Sequence, residues 1–156
     1  MRALVQRVTR ASVTVGDEVT GAIGPGLCVL VGVTHADRVD EARALAAKVW
    51  HLRVFDGPDG RPDLAVGEVG GEVLVISQFT LYGDTRKGRR PSWISAASPE
   101  QAEPLIEELG AELRSLGATV ATGRFRADMA VELVNDGPVT LLLEVDAPSP
   151  TGPSER

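Results

Sequence analysis

Val73-Leu74-Val75-Ile76-Ser77-Gln78-Phe79-Thr80-Leu81 is the stretch on which the reading of this chain turns. Four apolar residues in succession read as a buried strand, and the polar residues after them then fall where a sheet edge opens into a loop. Sites commonly form in such places. A second stretch, Asn135-Asp136-Gly137-Pro138-Val139-Thr140, lies between two strand-like runs, Met129 to Val134 and Val139 to Val145. Its Asp-Gly step followed by proline reads as a hairpin turn in which Pro138 fixes a backbone angle. Taken singly, each stretch is ordinary: a strand end and a turn.

Outward from these two, the chain reads as alternating strands and helices. Val5 to Val15 and Glu18 to Ile23 form strands about a Gly16-Asp17 turn, and Leu27 to Val33 is a buried strand after Gly24-Pro25-Gly26. From Asp37 to Trp50 the apolar positions Val39, Ala42, Leu45, Ala46 and Val49 keep a helical spacing, with Asp40 and Glu41 where the helix dipole favours acids. Leu52 to Phe55 reads as a strand and Asp56-Gly57-Pro58-Asp59-Gly60 as a loop. Ser98-Pro99-Glu100-Gln101 opens a second helix, with Ser98 as N-cap and Gln101 closing a capping box. That helix runs to Leu116, with Leu105, Ile106, Leu109, Leu113 and Leu116 as its core stripe. A strand at Thr119 to Thr122 follows. Two helices among seven or eight strands make an α+β domain over residues 1–146, and the proline-rich stretch 147–156 reads as a disordered tail.

At 156 residues the chain is long enough to bury one core without disulfides or metal. Its single cysteine, Cys28, lies in an apolar run and reads as a core residue, which favours a reducing, cytosolic setting. No apolar run approaches the ~18 to 20 residues of a membrane span, and the start lacks a signal peptide's pattern. His35 and His51 have no partners at metal-ligand spacing. A net charge of -6 sits awkwardly with nucleic-acid binding, since phosphate contacts usually supply much of the affinity. The charge is uneven, however: Arg86, Lys87, Arg89 and Arg90 follow the first stretch directly, and Arg2, Arg7 and Arg10 stand in the first strand. A solvated loop with ordinary surface arginines and a local basic rim both fit that pattern.

Read together, the two stretches resemble the paired signature motifs of the D-aminoacyl-tRNA deacylases, enzymes that hydrolyse the ester between a D-amino acid and tRNA. The resemblance continues through Met1-Arg2-Ala3-Leu4-Val5-Gln6-Arg7-Val8, Leu52-Arg53-Val54-Phe55, Arg90-Pro91-Ser92-Trp93, and Thr122-Gly123-Arg124-Phe125 to Met129. It departs from the family at Arg61-Pro62-Asp63-Leu64, where many relatives carry Lys-Met-Asn. The resemblance implies an antiparallel barrel-like sheet with two helices packed on it, paired as a homodimer. It further implies a cytoplasmic enzyme that needs no metal or cofactor and takes the acceptor end of aminoacylated tRNA as its partner.

Ester hydrolysis requires a placed nucleophile and donors aimed at the oxygen that becomes charged. Ser77 and Thr80 are hydroxyls, but no His and acid partners stand near them in sequence, which argues against a serine triad. The catalytic set is therefore Ser77, Gln78, Phe79 and Thr80: backbone N–H groups around Phe79 and Thr80, with the Gln78 amide positioning the substrate. The resemblance implies that the tRNA ribose hydroxyl beside the ester assists, while a nucleophilic Thr80 stays open. It also implies that Gly137-Pro138 is cis and enters the partner's pocket, where two carbonyls hold the substrate amino group and exclude an L side chain. Gly24-Pro25, Gly57-Pro58 and Gly152-Pro153 are expected to be trans. Exclusion of that kind admits glycine, so glycyl-tRNA is an expected substrate. Asn135 belongs to the same binding segment. Phe125 and Met129 either line an adenosine pocket or pack in the core, and Arg7 and Arg90 are carried over as contacts near the acceptor end. Two competitors remain: a related deacylase that removes L-alanine from mischarged tRNA, and a non-catalytic nucleic-acid-binding scaffold.

Overall fold

The computed structural model describes residues 1–149. Its longest strands are β1, Arg2–Val15, and β8, Ala130–Glu144. Between them lie β2 (Glu18–Ile23), β3 (Gly26–Gly32), helix α1 (Val39–His51), the short pair β4 (Phe55–Asp56) and β5 (Pro62–Leu64), β6 (Glu72–Ser77), helix α2 (Pro99–Ser115) and β7 (Val120–Thr122). The main sheet runs β2-β1-β3-β6-β7, with β8 on the other edge of β1. β2 and β7 nearly close it into a barrel, because Gly21 lies against the Thr122 carbonyl with no room for a Cβ.

The sheet is mixed, which corrects the antiparallel expectation. β3 pairs with β6 in parallel, Leu27 opposite Val73 and Val31 opposite Ser77, and β6 pairs with β7 in parallel. The cause is topological. α1 lies between β3 and β6 and α2 between β6 and β7, and a helical crossover returns the chain to the same end of the sheet, where only a parallel neighbour can start.

Parallel pairing under helices also explains the uninterrupted apolar runs, since both faces of such strands are covered. Val73 and Val75 of β6, with Leu27, Val29 and Val31 of β3, meet Leu45 and Leu109 of the two helices. The alternate residues Cys28, Leu74 and Ile76 turn the other way and pack with Val8 and Val13 inside the barrel.

Three local expectations change. The second half of the chain has no hairpin at Asp136-Gly137: both runs belong to β8 and pair antiparallel with β1, Val13 with Val131 at one end and Ala3 with Leu143 at the other. β1 is long enough to pair with both runs, and Asp136 to Val139 form a wide bulge opposite Arg7, between the pairs Val8–Asn135 and Gln6–Thr140. The strand expected at Leu52–Phe55 shrinks to Phe55–Asp56, because the Val54 carbonyl accepts from Arg7 Nη1 at 2.6 Å instead of from a strand. The capping box of α2 is half formed. Ser98 Oγ accepts from Gln101 N at 3.3 Å, but the Gln101 side chain donates to the carbonyls of Thr34, His35 and Asp37 and so ties α2 to the start of α1. Of the tail expected over 147–156, residues 150–156 lie outside the described residues, as does Gly152-Pro153.

Candidate active site

Ser77 ends β6, and Gln78 N continues the ladder by donating to Val31 O at 2.7 Å. The chain then winds into a single 3-10 turn, Phe79–Tyr82, closed by Gly83 N donating to Thr80 O at 2.9 Å. The opening amides of such a turn lack internal carbonyl partners, and among the described residues the N–H groups of Phe79 and Thr80 donate to no other backbone carbonyl. The Gln78 side-chain amide donates to the Thr80 hydroxyl, which fixes both side chains together.

The turn is held from two sides. Gly32 lies beneath it, and a Cβ there would come within 3.0 Å of Leu81 Cβ and 3.1 Å of Gln78 O. Arg2 Nη1 donates to Leu81 O at 2.8 Å, and its guanidinium lies 4.5 Å from the centre of the Tyr82 ring. Burial, with the nearby Asp37 carboxylate, pushes the Tyr82 phenol above its ordinary range, so it stays protonated and acts as packing.

Beside the turn opens a cavity of about 560 Å³. Ser77, Gln78 and Phe79 contribute to its wall together with Phe125, Met129 and Ile106 of α2. Phe125 and Met129 are half-buried and also pack against the two cores, so each lines the cavity and contributes to core packing. Gly123 supports this wall, since a Cβ there would press on Met129 Sδ at 2.7 Å. Trp93 and Ile106 also line the cavity, and neither was singled out from sequence. Ile106 was read only as part of a core stripe, and an aromatic beside a basic loop was the available signal for Trp93.

The remaining candidates gather elsewhere. Gly137 and Pro138 sit exposed on the β8 bulge, outside the cavity of their own chain, and the peptide between them is cis while Gly24-Pro25 and Gly57-Pro58 are trans. Asn135 straps this bulge, its Nδ2 donating to Arg7 O and Val139 O at 3.0 Å each. Arg7 is buried beneath, with Nε donating to Asp136 O at 3.2 Å and paired with Asp136 Oδ2 at 3.4 Å. Arg90 is exposed on a loop closed by paired backbone bonds of 2.8 Å between Asp84 and Ser92. On that loop Arg86 pairs with Asp84 at 2.7 Å, and its hydrogen bonds hold the Asp84 carboxyl down at about 2. Among the described residues, no three His, Cys, Asp or Glu side chains gather as a metal set, and no helix is long and apolar enough to cross a membrane.

The family model described as D-Tyr-tRNA(Tyr) deacylase matches residues 4–144. A D-aminoacyl-tRNA deacylase of Acidothermus cellulolyticus is 62% identical over 147 residues, covering 94% of this chain and 100% of that protein. One from Heliobacterium modesticaldum is 58% identical over 144 residues, covering 92% and 96%. Among solved structures, the c-Myc DNA Unwinding Element Binding Protein superposes with a TM-score of 0.89 at 42% identity, over 94% of this chain and 100% of that one. A probable eukaryotic D-amino acid tRNA deacylase, 15% identical, shares the fold at a TM-score of 0.79 over 92% and 98%. With a match spanning nearly its whole length and relatives this similar, the chain belongs to the D-Tyr-tRNA(Tyr) deacylase family.

Proposed function

We propose that this chain hydrolyses the ester between a D-amino acid and tRNA in the cytoplasm, working as a homodimer. The observation that carries the reading is a single cavity lined by Ser77, Gln78 and Phe79 together with Phe125 and Met129. A terminal adenosine fits against Phe125, Met129 and Ile106 of α2, with its ester toward Gln78 and Thr80. Water adds to the ester carbonyl carbon, and the charged oxygen takes hydrogen bonds from the opening amides of the 3-10 turn. The ribose 3′-oxygen then leaves with a proton, releasing the D-amino acid and tRNA with its 3′-hydroxyl restored.

Neither His35 nor His51 lines the cavity, so no imidazole base stands ready there. The neighbouring ribose 2′-hydroxyl supplies the missing polar group, and Thr80 positions the substrate with Gln78. Selectivity comes from rigid backbone, because L-aminoacyl-tRNAs outnumber the D forms and must be refused. Gly137-Pro138 of one subunit enters the partner's cavity and leaves no space for an L side chain, while glycine passes. Two features support pairing: the Gly137-Pro138 bulge lies outside its own cavity, and β8 exposes Val134, Leu141 and Leu142.

The experiment compares D-tyrosyl-, L-tyrosyl- and glycyl-tRNA side by side, with a 2′-deoxy terminal adenosine as a fourth substrate. Hydrolysis of the D and glycyl esters, survival of the L ester, and loss of activity on the deoxy substrate are expected. Equal turnover of D and L esters removes the filter, and full activity on the deoxy substrate removes the RNA assistance. Thr80→Ala retains turnover under this reading, and retained turnover is incompatible with an obligatory nucleophile at Thr80.

A further inference from the structure

Phe79 and Trp93 form an aromatic surface at the mouth of the cavity that the hydrolytic chemistry leaves unused. Their rings meet edge to face, with centroids 5.4 Å apart and planes at 69°. Phe79 is nevertheless 57% exposed and Trp93 43%. The indole has a built seat: it packs against Gly83, where a Cβ would come within 2.6 Å of Trp93 Cζ3. A ring held in place from one side and left open to solvent on another suits a flat ligand.

The charge around it is equally particular. The loop closed by Asp84 and Ser92 ends one residue before Trp93 and carries Arg86, Lys87, Arg89 and Arg90, all exposed. Arg86 is committed to Asp84, but among the described residues Lys87, Arg89 and Arg90 have no ion-pair partner. Such a cluster on a chain of net charge -6 marks where a polyanion would approach.

We infer that Trp93, with Phe79 at its edge, stacks the base of the nucleotide immediately 5′ to the terminal adenosine, while Lys87, Arg89 and Arg90 face the phosphates of that strand. The inference rests on the deacylase reading and adds a second nucleotide subsite to it. A cavity of about 560 Å³ takes one aminoacylated nucleoside, so the strand must leave through the mouth, where Phe79 and Trp93 stand. Single-stranded RNA ends are held mainly by stacking on aromatic side chains, with cations along the backbone. Because every base has a π-face, this subsite adds affinity without restricting which tRNA is bound.

The test uses two non-hydrolysable probes: D-tyrosine joined by an amide to 3′-amino-3′-deoxyadenosine, and the same group carried on a cytidylyl-adenosine dinucleotide. The wild-type protein binds the dinucleotide about tenfold more tightly, the scale of one base stacked on an aromatic side chain. Trp93→Ala lowers the ratio of the two dissociation constants to the level given by an abasic dinucleotide, which keeps only the phosphate contact, and Trp93→Phe keeps most of the ratio. Because the readout is a ratio, a general loss of binding in the alanine variant leaves it interpretable. An unchanged ratio in Trp93→Ala, or an abasic probe that binds as well as the cytidine one, overturns the subsite alone. Failure of the wild-type protein to bind either probe overturns the deacylase reading as well. If Trp93→Ala leaves the ratio intact but alters sedimentation, the surface is an interface between copies and the subsite is refuted.

Discussion

Gly137 lies so close to Arg7 that a Cβ at position 137 would stand 2.7 Å from Arg7 Nη2. Gly137 also holds φ at +117°, a conformation that residues with side chains rarely adopt. Two independent constraints therefore require glycine at the tip of the β8 bulge. Gly137→Ala is expected to lose about 1–3 kcal/mol of stability. Because Pro138 moves with it, turnover of D-tyrosyl-tRNA should fall roughly 10- to 100-fold. Thermal denaturation and a turnover assay check both effects, and wild-type values in each would refute the constraint.

Arg7 serves that bulge from below, and a lysine cannot replace it. The guanidinium donates to Val54 O and Asp136 O from different nitrogens, whereas an ammonium is a compact donor on a flexible stem. Arg7→Lys leaves one buried carbonyl short of a partner, a loss of about 1–3 kcal/mol. A merely structural role would lower the melting temperature alone. A role in aiming Gly137-Pro138 would also narrow the ratio of D- to L-tyrosyl-tRNA hydrolysis, and that narrowing is the expected result.

What could be read from the chain follows from which forces are local. β6 was legible because helices cover one face and the barrel interior the other, leaving an unbroken apolar run. α2 was legible from Ser98-Pro99 and its leucine stripe, whereas the work of the Gln101 side chain was not, because its partners lie more than sixty residues away. Strand direction was misread although the alternation of strand and helix carried it: Leu27–Val33, then a helix, then Val73–Ile76 calls for a crossover and hence parallel pairing. The Asp136-Gly137 hairpin was a sound local inference overruled at long range, since β1 offered pairing to both flanking runs. At the site, Ser77 and Phe125 are distant in sequence, so their meeting was accessible through motif resemblance and not through spacing.

Gly32 sets the height of the 3-10 turn that follows β6. A Cβ there would meet Leu81 Cβ at 3.0 Å and both Gln78 O and Tyr82 Cδ2 at 3.1 Å, so the turn would have to lift by a few tenths of an ångström. Gly32→Ala should cost about 1–3 kcal/mol through overpacking and lower kcat more than it raises KM. Gly24→Ala is the matched control, since its added methyl meets only Glu72 Oε1 at 3.8 Å. If the two variants share the same melting temperature and kcat, the turn does not rest on Gly32.

Cys28 reports on the barrel interior. Burial pushes its thiol up to about 11, against about 8.5 for a free cysteine, so the folded chain holds this proton more tightly than the unfolded one. The resulting contribution to stability is complete below about pH 8.5 and lost as the pH rises toward 11. Tyr82 drifts in the same sense, but it is common to wild type and a Cys28→Ala variant and cancels between them. Between pH 8 and 10.5 the wild-type protein should therefore lose more stability in urea titrations than Cys28→Ala does. At pH 8, iodoacetamide should leave the native thiol largely unmodified and react with it readily in denaturant. Alkylation of the native protein at the rate of a free thiol would mean that the face of β3 packed against Val8 and Leu74 is open to solvent.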